Sequence, residues 1–191
     1  MKKIISLFAR NYEGDRLVRD EIVPGAEWVI AGEGVPTRKY DGTACMIRDG
    51  KLYKRYDAKQ GKTPPAGFEP AQEAPDAKTG HWPGWLPVGD GPDDRWHREA
   101  LAYAGETLPD GTYELIGPRV QGNPERVERH MLIPHGTTIL PDVQPRTFAS
   151  LRAFLAEQDI EGIVWWRTLD DPDCDKVKLK KKDFGLRRNG G

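Results

Sequence analysis

Short runs of strand-forming residues, separated by glycine and proline, constrain the fold of this chain more than any other feature. The 191 residues include 21 glycines and 16 prolines, which favour turns and loops over a helix bundle. Residues 43–48 (TACMIR) and 51–56 (KLYKRY) are rich in strand formers. Asp49-Gly50 between them is a strong signal for a two-residue hairpin turn. The sequence therefore predicts a mainly antiparallel α+β domain with few helices.

The remaining elements follow from the same local signals. Further strands are predicted at residues 4–8, 27–31, 112–116, 162–167 and 177–180. Asp94 and Thr147 can each cap a helix, because their side chains accept hydrogen bonds from the free N–H groups of a first turn. The first helix would run through Trp96, Ala100, Leu101 and Ala104, and the second would carry Phe148, Leu151, Phe154 and Leu155 on one face.

Residues 63–94 differ from the rest of the chain, because they are rich in proline and lack periodicity. We expect an irregular loop excursion there, and loops of this length are unusual unless they are functional. Residues 1–191 are otherwise predicted to form one domain, since this length is near the upper end of an ordinary domain.

Charge and cysteine content limit the functional classes to which the chain can belong. The net charge is −1, so the whole chain is not a basic nucleic-acid-binding protein, but residues 176–188 hold seven Lys/Arg against one acid, Asp183. Such a local basic surface can bind phosphates. Cys45 and Cys174 are too few for a secreted disulfide framework and predict reduced thiols in a cytoplasmic protein. The apolar residues 4–8 are too short for a signal peptide or a membrane span.

The motif Lys39-Tyr40-Asp41-Gly42 carries the main chemical signal. A lysine amine two residues before an aspartate, with a glycine that permits close backbone approach, suits covalent attachment of a nucleotide through its α-phosphate. That chemistry needs a neutral amine, which desolvation or neighbouring cations favour. Asp41 would orient nearby groups or a metal-bound water. Alone, the motif also fits a solvated lysine beside a turn.

Three later residues supply the charges that such a site needs. Glu161 precedes Gly162 at the start of an apolar strand and suits a Mg²⁺ contact near phosphates, although a glutamate ending a loop looks the same. Lys178 and Lys180 lie on one face of a strand, because side chains alternate there. Two cations on one face can bind an α-phosphate, or they can protect a solvated edge strand.

Glu114 and Arg55 are candidates for contacts to a ribose. Glu114 lies within the apolar run of residues 113–116 and requires hydrogen-bond donors, which ribose hydroxyls or an internal arginine can supply. Arg55 has a fork of donors that can bridge ribose and phosphate, or it can pair with an acid on a neighbouring strand.

The order K-x-D-G, Arg, Y-E-L, E-G-I-V and K-x-K resembles the covalent nucleotidyltransferase superfamily of ATP-dependent DNA ligases, RNA ligases and mRNA capping enzymes. Residues 80–85 (GHWPGW), 113–118 (YELIGP) and 181–185 (KKDFG) look like the small 5′-to-3′ RNA ligase family. The resemblance runs from about Trp28 to Leu186. It implies an antiparallel-sheet nucleotidyltransferase fold (an ATP-grasp-like ligase adenylation domain) and, since the chain ends soon after Lys182, no C-terminal OB domain.

The resemblance also implies the chemistry. The protein would be an ATP-dependent RNA ligase that joins RNA 5′-phosphate and 3′-hydroxyl ends through lysyl-AMP and RNA-adenylate, with Mg²⁺ (or Mn²⁺) as cofactor and no membrane or protein partner. Lys39 would become lysyl-AMP, Asp41 and Gly42 would complete its motif, and Glu114 and Arg55 would hold the ribose. Glu161 would bind the metal or orient Lys39, and Lys178 and Lys180 would contact the α-phosphate.

Several alternatives remain open at this point. The lysine pair can be Lys180 and Lys182 instead. His130 or His135 can stack on adenine, or each can be an ordinary loop histidine. The function can be that of a GTP-dependent capping-type guanylyltransferase, a catalytically inactive RNA-binding relative, or an unrelated globular binding domain. Three tryptophans of the chain can stack on RNA bases, although packing of a loop is the usual role of such residues: Trp82, Trp85 and Trp96.

Overall fold

Antiparallel sheets make up most of the computed structural model, which describes residues 4–77, 79–105 and 108–188. Together with the three helices found among these residues, they confirm the α+β fold class. The described residues divide into two compact units. Unit 1 comprises residues 41–135, and unit 2 comprises residues 4–40 and 136–188. The expectation of one domain for residues 1–191 stays a prediction.

Unit 2 is built on a four-stranded sheet with the order β1-β12-β11-β4. These strands are β1 (Ile5–Ser6), β4 (Val35–Lys39), β11 (Gly162–Trp166) and β12 (Lys176–Lys180). β11 pairs antiparallel with β4 and β12, whereas β1 runs parallel to β12. A separate pair of strands, β2 (Phe8–Arg10) and β3 (Val18–Ile22), forms a two-stranded sheet. The first apolar run therefore forms two short strands instead of one.

The hydrophobic core of unit 2 covers one face of the four-stranded sheet. Ile163 and Leu179 point into this core, where they pack with Leu151 and Leu155 of helix α3 (Phe148–Glu157). Because side chains alternate along strands, the residues between them point to the opposite face. One face of the sheet is thus fixed by packing, and the other carries Lys39, Lys178 and Lys180 beside the buried Val164 and Trp166.

Thr147 caps α3 as the sequence predicts. Its hydroxyl accepts a hydrogen bond from the N–H of Ser150 at 3.2 Å, and the Ser150 side chain accepts one from the N–H of Thr147 at 3.0 Å. This capping box satisfies two N–H groups that a helix start leaves without partners.

Unit 1 contains a six-stranded sheet with the order β10-β9-β5-β6-β8-β7. The strands are β5 (Thr43–Arg48), β6 (Lys51–Ala58), β7 (Glu69–Pro70), β8 (Trp82–Pro87), β9 (Gly111–Ile116) and β10 (Met131–Pro134). All pairs are antiparallel, and the predicted Asp49-Gly50 hairpin joins β5 to β6. Helix α2 (Arg95–Ala104) packs against the sheet through Ala100.

The strand predicted at residues 27–31 is wrong, because the structure has a one-turn helix there, α1 (Glu27–Ile30). Its backbone is satisfied locally, since Ala31 N–H donates to the carbonyl of Glu27 at 3.0 Å. Trp28 and Val29 are both buried in the core of unit 2. A short apolar run has no period that separates strand from helix, so only packing decides between them.

The irregular excursion predicted at residues 63–94 contains ordered strand. β8 lies inside it and pairs with β6 on one side and with the two-residue β7 on the other. The sequence did not predict this strand because it contains Pro83 and Pro87. Proline cannot donate to a sheet ladder and is usually found at sheet edges. The carbonyl of Pro83 still accepts a hydrogen bond from Ala71 N–H at 2.9 Å.

The side chain of Asp94 does not cap α2, although α2 begins at the next residue. The carboxylate instead pairs with Lys54 Nζ at 2.5 Å and accepts the N–H of Gly89 at 2.8 Å. A preceding 3₁₀ turn at Pro92–Asp94 leads into the helix. A tertiary ion pair has therefore replaced the expected local cap.

No helix in the described part of the chain combines the length and apolar character that crossing a membrane requires.

The packing of α3 makes a direct prediction for stability. Leu151→Ala should lower the free energy of unfolding by about 2–5 kcal/mol, because Leu151 is fully buried and truncation leaves a cavity. Arg152→Ala, at the neighbouring exposed position of the same helix, is the matched control and should change stability by less than about 0.5 kcal/mol. Urea unfolding of both variants measures this. Equal effects would contradict the assignment of the core face.

Candidate active site

The K-Y-D-G lysine lies at the end of β4, on the polar face of the unit 2 sheet. Lys39 and Lys180 are the register partners of Gly162 on its two sides. The three strands thus bring two lysines that are 141 positions apart in the sequence into one row. Gly162 is the central position of this row.

Gly162 has no space for a side chain. A Cβ atom at this position would lie 2.2 Å from the carbonyl oxygen of Leu179 and 2.8 Å from the Cα of Lys180. Both are backbone atoms that cannot move without disturbing β12. The glycine of the E-G-I-V motif is therefore required by close approach of two strands.

Glu161 lies between the two lysines. Its Oε2 accepts a hydrogen bond from Lys39 Nζ at 2.6 Å, and its Oε1 accepts one from Lys180 Nζ at 2.7 Å. Glu161 is only 7% exposed. Charge-assisted hydrogen bonds of this kind hold all three side chains in one geometry. We call Lys39, Glu161, Lys178 and Lys180 the lysine–glutamate cluster.

Glu161 is ionised in this environment. Burial alone would raise the pKa of its carboxyl group, but the ammonium groups of Lys39 and Lys180 outweigh burial and hold the pKa below its ordinary value. A buried carboxylate with a cation on each oxygen is a stable partner for both lysines.

Lys178 differs from its neighbours in the cluster. Among the described residues, its Nζ has no hydrogen-bond or ion-pair partner. Burial, followed by the nearby charges of Lys180 and Lys39, lowers the pKa of Lys178 to about 8. A partly buried cation of this kind favours the approach of an anion, because an anion would compensate its charge. Lys178 is thus the residue of the cluster best suited to meet a phosphate.

The structure also distinguishes between the two registers of the lysine pair. Lys178 and Lys180 point to the same face of β12 as Lys39 on β4, by the alternation of the strand. Lys182 is exposed in the 3₁₀ turn at Lys181–Phe184. The geometry therefore places Lys178 and Lys180, and not Lys182, in the cluster.

Asp183 supports this cluster and was not identified as a candidate from the sequence. It is 1% exposed, and its Oδ2 accepts the N–H of Lys180 at 2.9 Å while Oδ1 pairs with Arg10. A signal was available, because an acid three residues after a strand end can accept the N–H of that strand end.

In unit 1, Gly42 and Glu114 are in contact. The N–H of Gly42 donates to Glu114 Oε1 at 3.1 Å. A Cβ at Gly42 would lie 2.1 Å from the carbonyl oxygen of Leu115, so only glycine fits there. The glycine of the K-Y-D-G motif is therefore fixed to the strand that carries the Y-E-L motif.

The other oxygen of Glu114 contacts a histidine. Glu114 Oε2 lies 2.9 Å from His135 Nε2, and His135 Nδ1 lies 3.0 Å from Thr112 Oγ1. From the sequence, His135 can be an adenine-stacking residue or an ordinary loop histidine. No sequence signal indicated its contact with Glu114. The donors that a buried glutamate requires thus include a histidine.

The remaining predicted residues in unit 1 have partners of their own. Arg55 Nε donates to Asp57 Oδ1 at 3.0 Å, and its guanidinium lies over the Trp85 ring. The backbone N–H of Asp41 donates to Glu125 Oε1 at 2.9 Å. Arg55 therefore pairs with an acid on its own strand.

The other aromatic and histidine candidates pack within unit 1. The His130 ring stacks on Trp96 with a 4.7 Å centroid distance, and its Nδ1 lies 3.0 Å from Glu99 Oε2. Trp85 is buried, and Trp82 Nε1 donates to the carbonyl of Gln72 at 2.8 Å. These contacts are those expected when tryptophan packs a loop.

The lysine–glutamate cluster suits an anion better than a metal ion held by protein alone. Both oxygens of Glu161 are engaged by ammonium groups, and no group of three or more His, Cys, Asp or Glu side chains able to hold a metal ion occurs among the described residues. Mg²⁺ commonly takes only one or two carboxylates and completes its shell with phosphates and water. A metal ion at this cluster would therefore arrive with phosphate ligands and water instead of being held by these side chains alone.

Comparisons with known proteins find similarity to curated RNA ligases. It is 27% identical to RNA ligase 1 of Pongo abelii, with 80% of this chain and 67% of that protein covered. It is 28% identical to RNA ligase 1 of Mus musculus, with coverages of 69% and 62%. The chain thus spans about two thirds of the length of these curated relatives. No protein-family model matches.

These matches support the resemblance to the RNA ligase family that the motifs indicate.

The lowered pKa of Lys178 predicts a pH-dependent stability. Below pH about 8 the amine is charged in both folded and unfolded protein, so the folded state carries the full cost of a partly desolvated cation beside Lys180 and Lys39. That cost disappears as pH rises from about 8 toward the ordinary lysine value of 10.5. Lys178→Met should therefore raise the free energy of unfolding at pH 7, and its advantage over wild type should shrink by pH 10.

Chemical denaturation of both proteins across this pH range measures the difference. Lys182→Met is the matched control, because Lys182 is exposed and should show no such trend. A pH-independent difference between wild type and Lys178→Met would contradict the burial of an unpaired cation.

Proposed function

We propose that this protein is an ATP-dependent RNA ligase with the antiparallel nucleotidyltransferase (ATP-grasp-like adenylation) fold. It would join RNA 5′-phosphate and 3′-hydroxyl ends. The curated relatives are named RNA ligase 1, which supports RNA as the substrate class. The proposal extends that name to this chain and adds the reaction and its residues.

The observation that carries the proposal is the lysine–glutamate cluster. Lys39, which occupies the nucleophile position of the K-x-D-G motif, is held at 2.6 Å by Glu161 on the same sheet face as Lys178 and Lys180. A lysine held by a carboxylate, with two further cations on the same face, is aligned for phosphoryl transfer, because that chemistry depends mainly on alignment and charge stabilisation.

The first step would be formation of lysyl-AMP. Lys39 passes a proton to its hydrogen-bond partner Glu161, its Nζ forms a bond to the α-phosphorus of ATP, and the bond from that phosphorus to the leaving pyrophosphate breaks. Glu161 orients the amine through its Oε2. Lys178 and Lys180 bind the α-phosphate oxygens, where they stabilise the charge that develops during transfer.

The second and third steps would use RNA. An oxygen of the RNA 5′-phosphate attacks the phosphorus of lysyl-AMP, which forms a phosphate anhydride and releases the Lys39 amine. The 3′-hydroxyl of a second end then loses its proton and attacks the 5′-phosphate, and AMP leaves. A phosphodiester bond results.

The remaining roles follow from the resemblance. We propose that Glu114 and Arg55 contact the ribose and that Asp41 and Gly42 complete the nucleophile motif. Glu114 is buried and ionisable, and each of its oxygens retains a lone pair beyond the hydrogen bond that it already accepts.

Mg²⁺, or Mn²⁺ in its place, is proposed as the metal cofactor that arrives with the ATP phosphates. When bound, it would neutralise charge on the leaving pyrophosphate. Glu161 was predicted as its ligand. The hydrogen bonds that Glu161 makes to Lys39 and Lys180 support the alternative role of orienting the nucleophile. A cytoplasmic location stays a prediction.

Labelling with nucleotide tests the proposal directly. Wild-type protein incubated with α-labelled ATP and Mg²⁺ should acquire a label that survives denaturation, because the phosphorus–nitrogen bond is covalent. Lys39→Ala should lose this label completely. Lys182→Ala should keep it, since Lys182 is an exposed lysine outside the cluster.

The nucleotide and the RNA distinguish the alternatives. Label from GTP but not from ATP would support the capping-type reaction instead. Folded wild-type protein that accepts no label but binds RNA would be an inactive relative. Equal label on Lys39→Ala would remove the nucleophile assignment. The final step is tested by sealing of a nicked RNA with a 5′-phosphate and a 3′-hydroxyl.

A further inference from the structure

His135 is part of a hydrogen-bonded chain of side chains in unit 1 that ends at the candidate ribose ligand. Thr112 Oγ1 lies 3.0 Å from His135 Nδ1, and His135 Nε2 lies 2.9 Å from Glu114 Oε2. The side chain of His135 is 20% exposed and that of Glu114 is 9% exposed. These contacts are therefore largely shielded from competition with water.

The chemistry of the partners fixes the direction of these hydrogen bonds. A carboxylate oxygen is an acceptor, so the 2.9 Å contact assigns the proton of this bond to His135 Nε2. In the neutral ring Nδ1 is then an acceptor, and the Thr112 hydroxyl donates to it. Thr112 thus selects the ring tautomer that can hold Glu114, which is a role that second partners of histidine often have.

The backbone holds the same three residues together. Thr112 and Glu114 are both on β9, and His135 directly follows β10, which pairs with β9. The N–H of His135 donates to the carbonyl of Thr112 at 3.0 Å. The histidine ring is therefore fixed by its own backbone as well as by Thr112, so it can restrict the rotation of the glutamate.

Both oxygens of Glu114 are fixed by this arrangement. Gly42 N–H holds Oε1 at 3.1 Å, and His135 holds Oε2. Each carboxylate oxygen has two acceptor positions, so one on each oxygen stays available. Two acceptors at a fixed separation are suited to a pair of neighbouring hydroxyl groups.

We propose that His135 is a positioning residue that orients the Glu114 carboxylate to accept the 2′- and 3′-hydroxyls of a ribonucleotide. This inference rests on the proposed function, because it takes the ribose to be that of the bound ATP. It assigns to the Thr112–His135 pair the selection of ribonucleotides over 2′-deoxyribonucleotides. Neither residue touches the reacting phosphorus in this scheme.

Adenylation with two nucleotides separates this role from a general structural one. The rate of label transfer divided by the KM is measured for α-labelled ATP and for α-labelled 2′-deoxy-ATP. Wild-type protein should prefer ATP. His135→Ala should lower the value for ATP about ten-fold, the effect of losing one charge-assisted hydrogen bond, and should lower that for 2′-deoxy-ATP much less. The preference for ATP should then approach that of Glu114→Gln.

Further variants keep the test decisive. Thr112→Val retains shape but removes the hydroxyl, and it should reduce the same preference even if His135→Ala fails to fold. The double variant His135→Ala/Glu114→Gln should lose no more preference than Glu114→Gln alone, because His135 acts through Glu114. His81→Ala, an exposed histidine of unit 1, should leave both values unchanged.

Two failures have different meanings. Absence of label on wild-type protein with either nucleotide would remove the proposed function, and this inference with it. Only the inference would be overturned if wild-type protein is labelled and prefers ATP, while the folded His135→Ala and Thr112→Val variants keep the full preference. Equal losses for ATP and 2′-deoxy-ATP would also overturn it, since they would assign His135 to the base or to folding.

Discussion

The interaction of one buried carboxylate with two lysines organises the polar face of the unit 2 sheet. Glu161 holds Lys39 at 2.6 Å and Lys180 at 2.7 Å, and Gly162 lets the strands that carry them approach without an intervening side chain. Buried ion pairs stabilise a fold only when each charge is compensated by a partner. Glu161 compensates two of the three lysines, which leaves Lys178 as a partly buried cation that an anionic ligand would stabilise.

Unit 1 repeats the principle of a buried carboxylate with a donor on each oxygen, but with different donors. Glu114 is held by the backbone of Gly42 and by His135. The K-Y-D-G motif therefore supplies Lys39 to one network and Gly42 to the other. The close packing of Gly42 against Leu115 explains why the motif ends in glycine more directly than turn formation does.

Local signals predicted the elements whose structure is decided locally. The Asp49-Gly50 hairpin and the Thr147 cap of α3 were correct, because their hydrogen bonds join residues that are neighbours in the sequence. Residues 27–31 and β8 were misread, since the first is a short apolar run without a period and the second contains two prolines. Asp94 had the residue type of a cap but pairs with Lys54, forty positions away. Tertiary contacts overrode local preference in each case.

The candidate site shows the same division. Motif order alone identified Lys39, Glu161, Lys178 and Lys180 as one set, and alternation along a strand placed the last two on one face. Strand register decided which lysine would be paired, which would be left without a partner and which acid would support them. Register joins residues that are far apart in the sequence. The sequence by itself determined which chemical groups are present and their order. Only the tertiary structure decided their partners, as with His135 and Glu114, because hydrogen bonds and burial depend on distances in space.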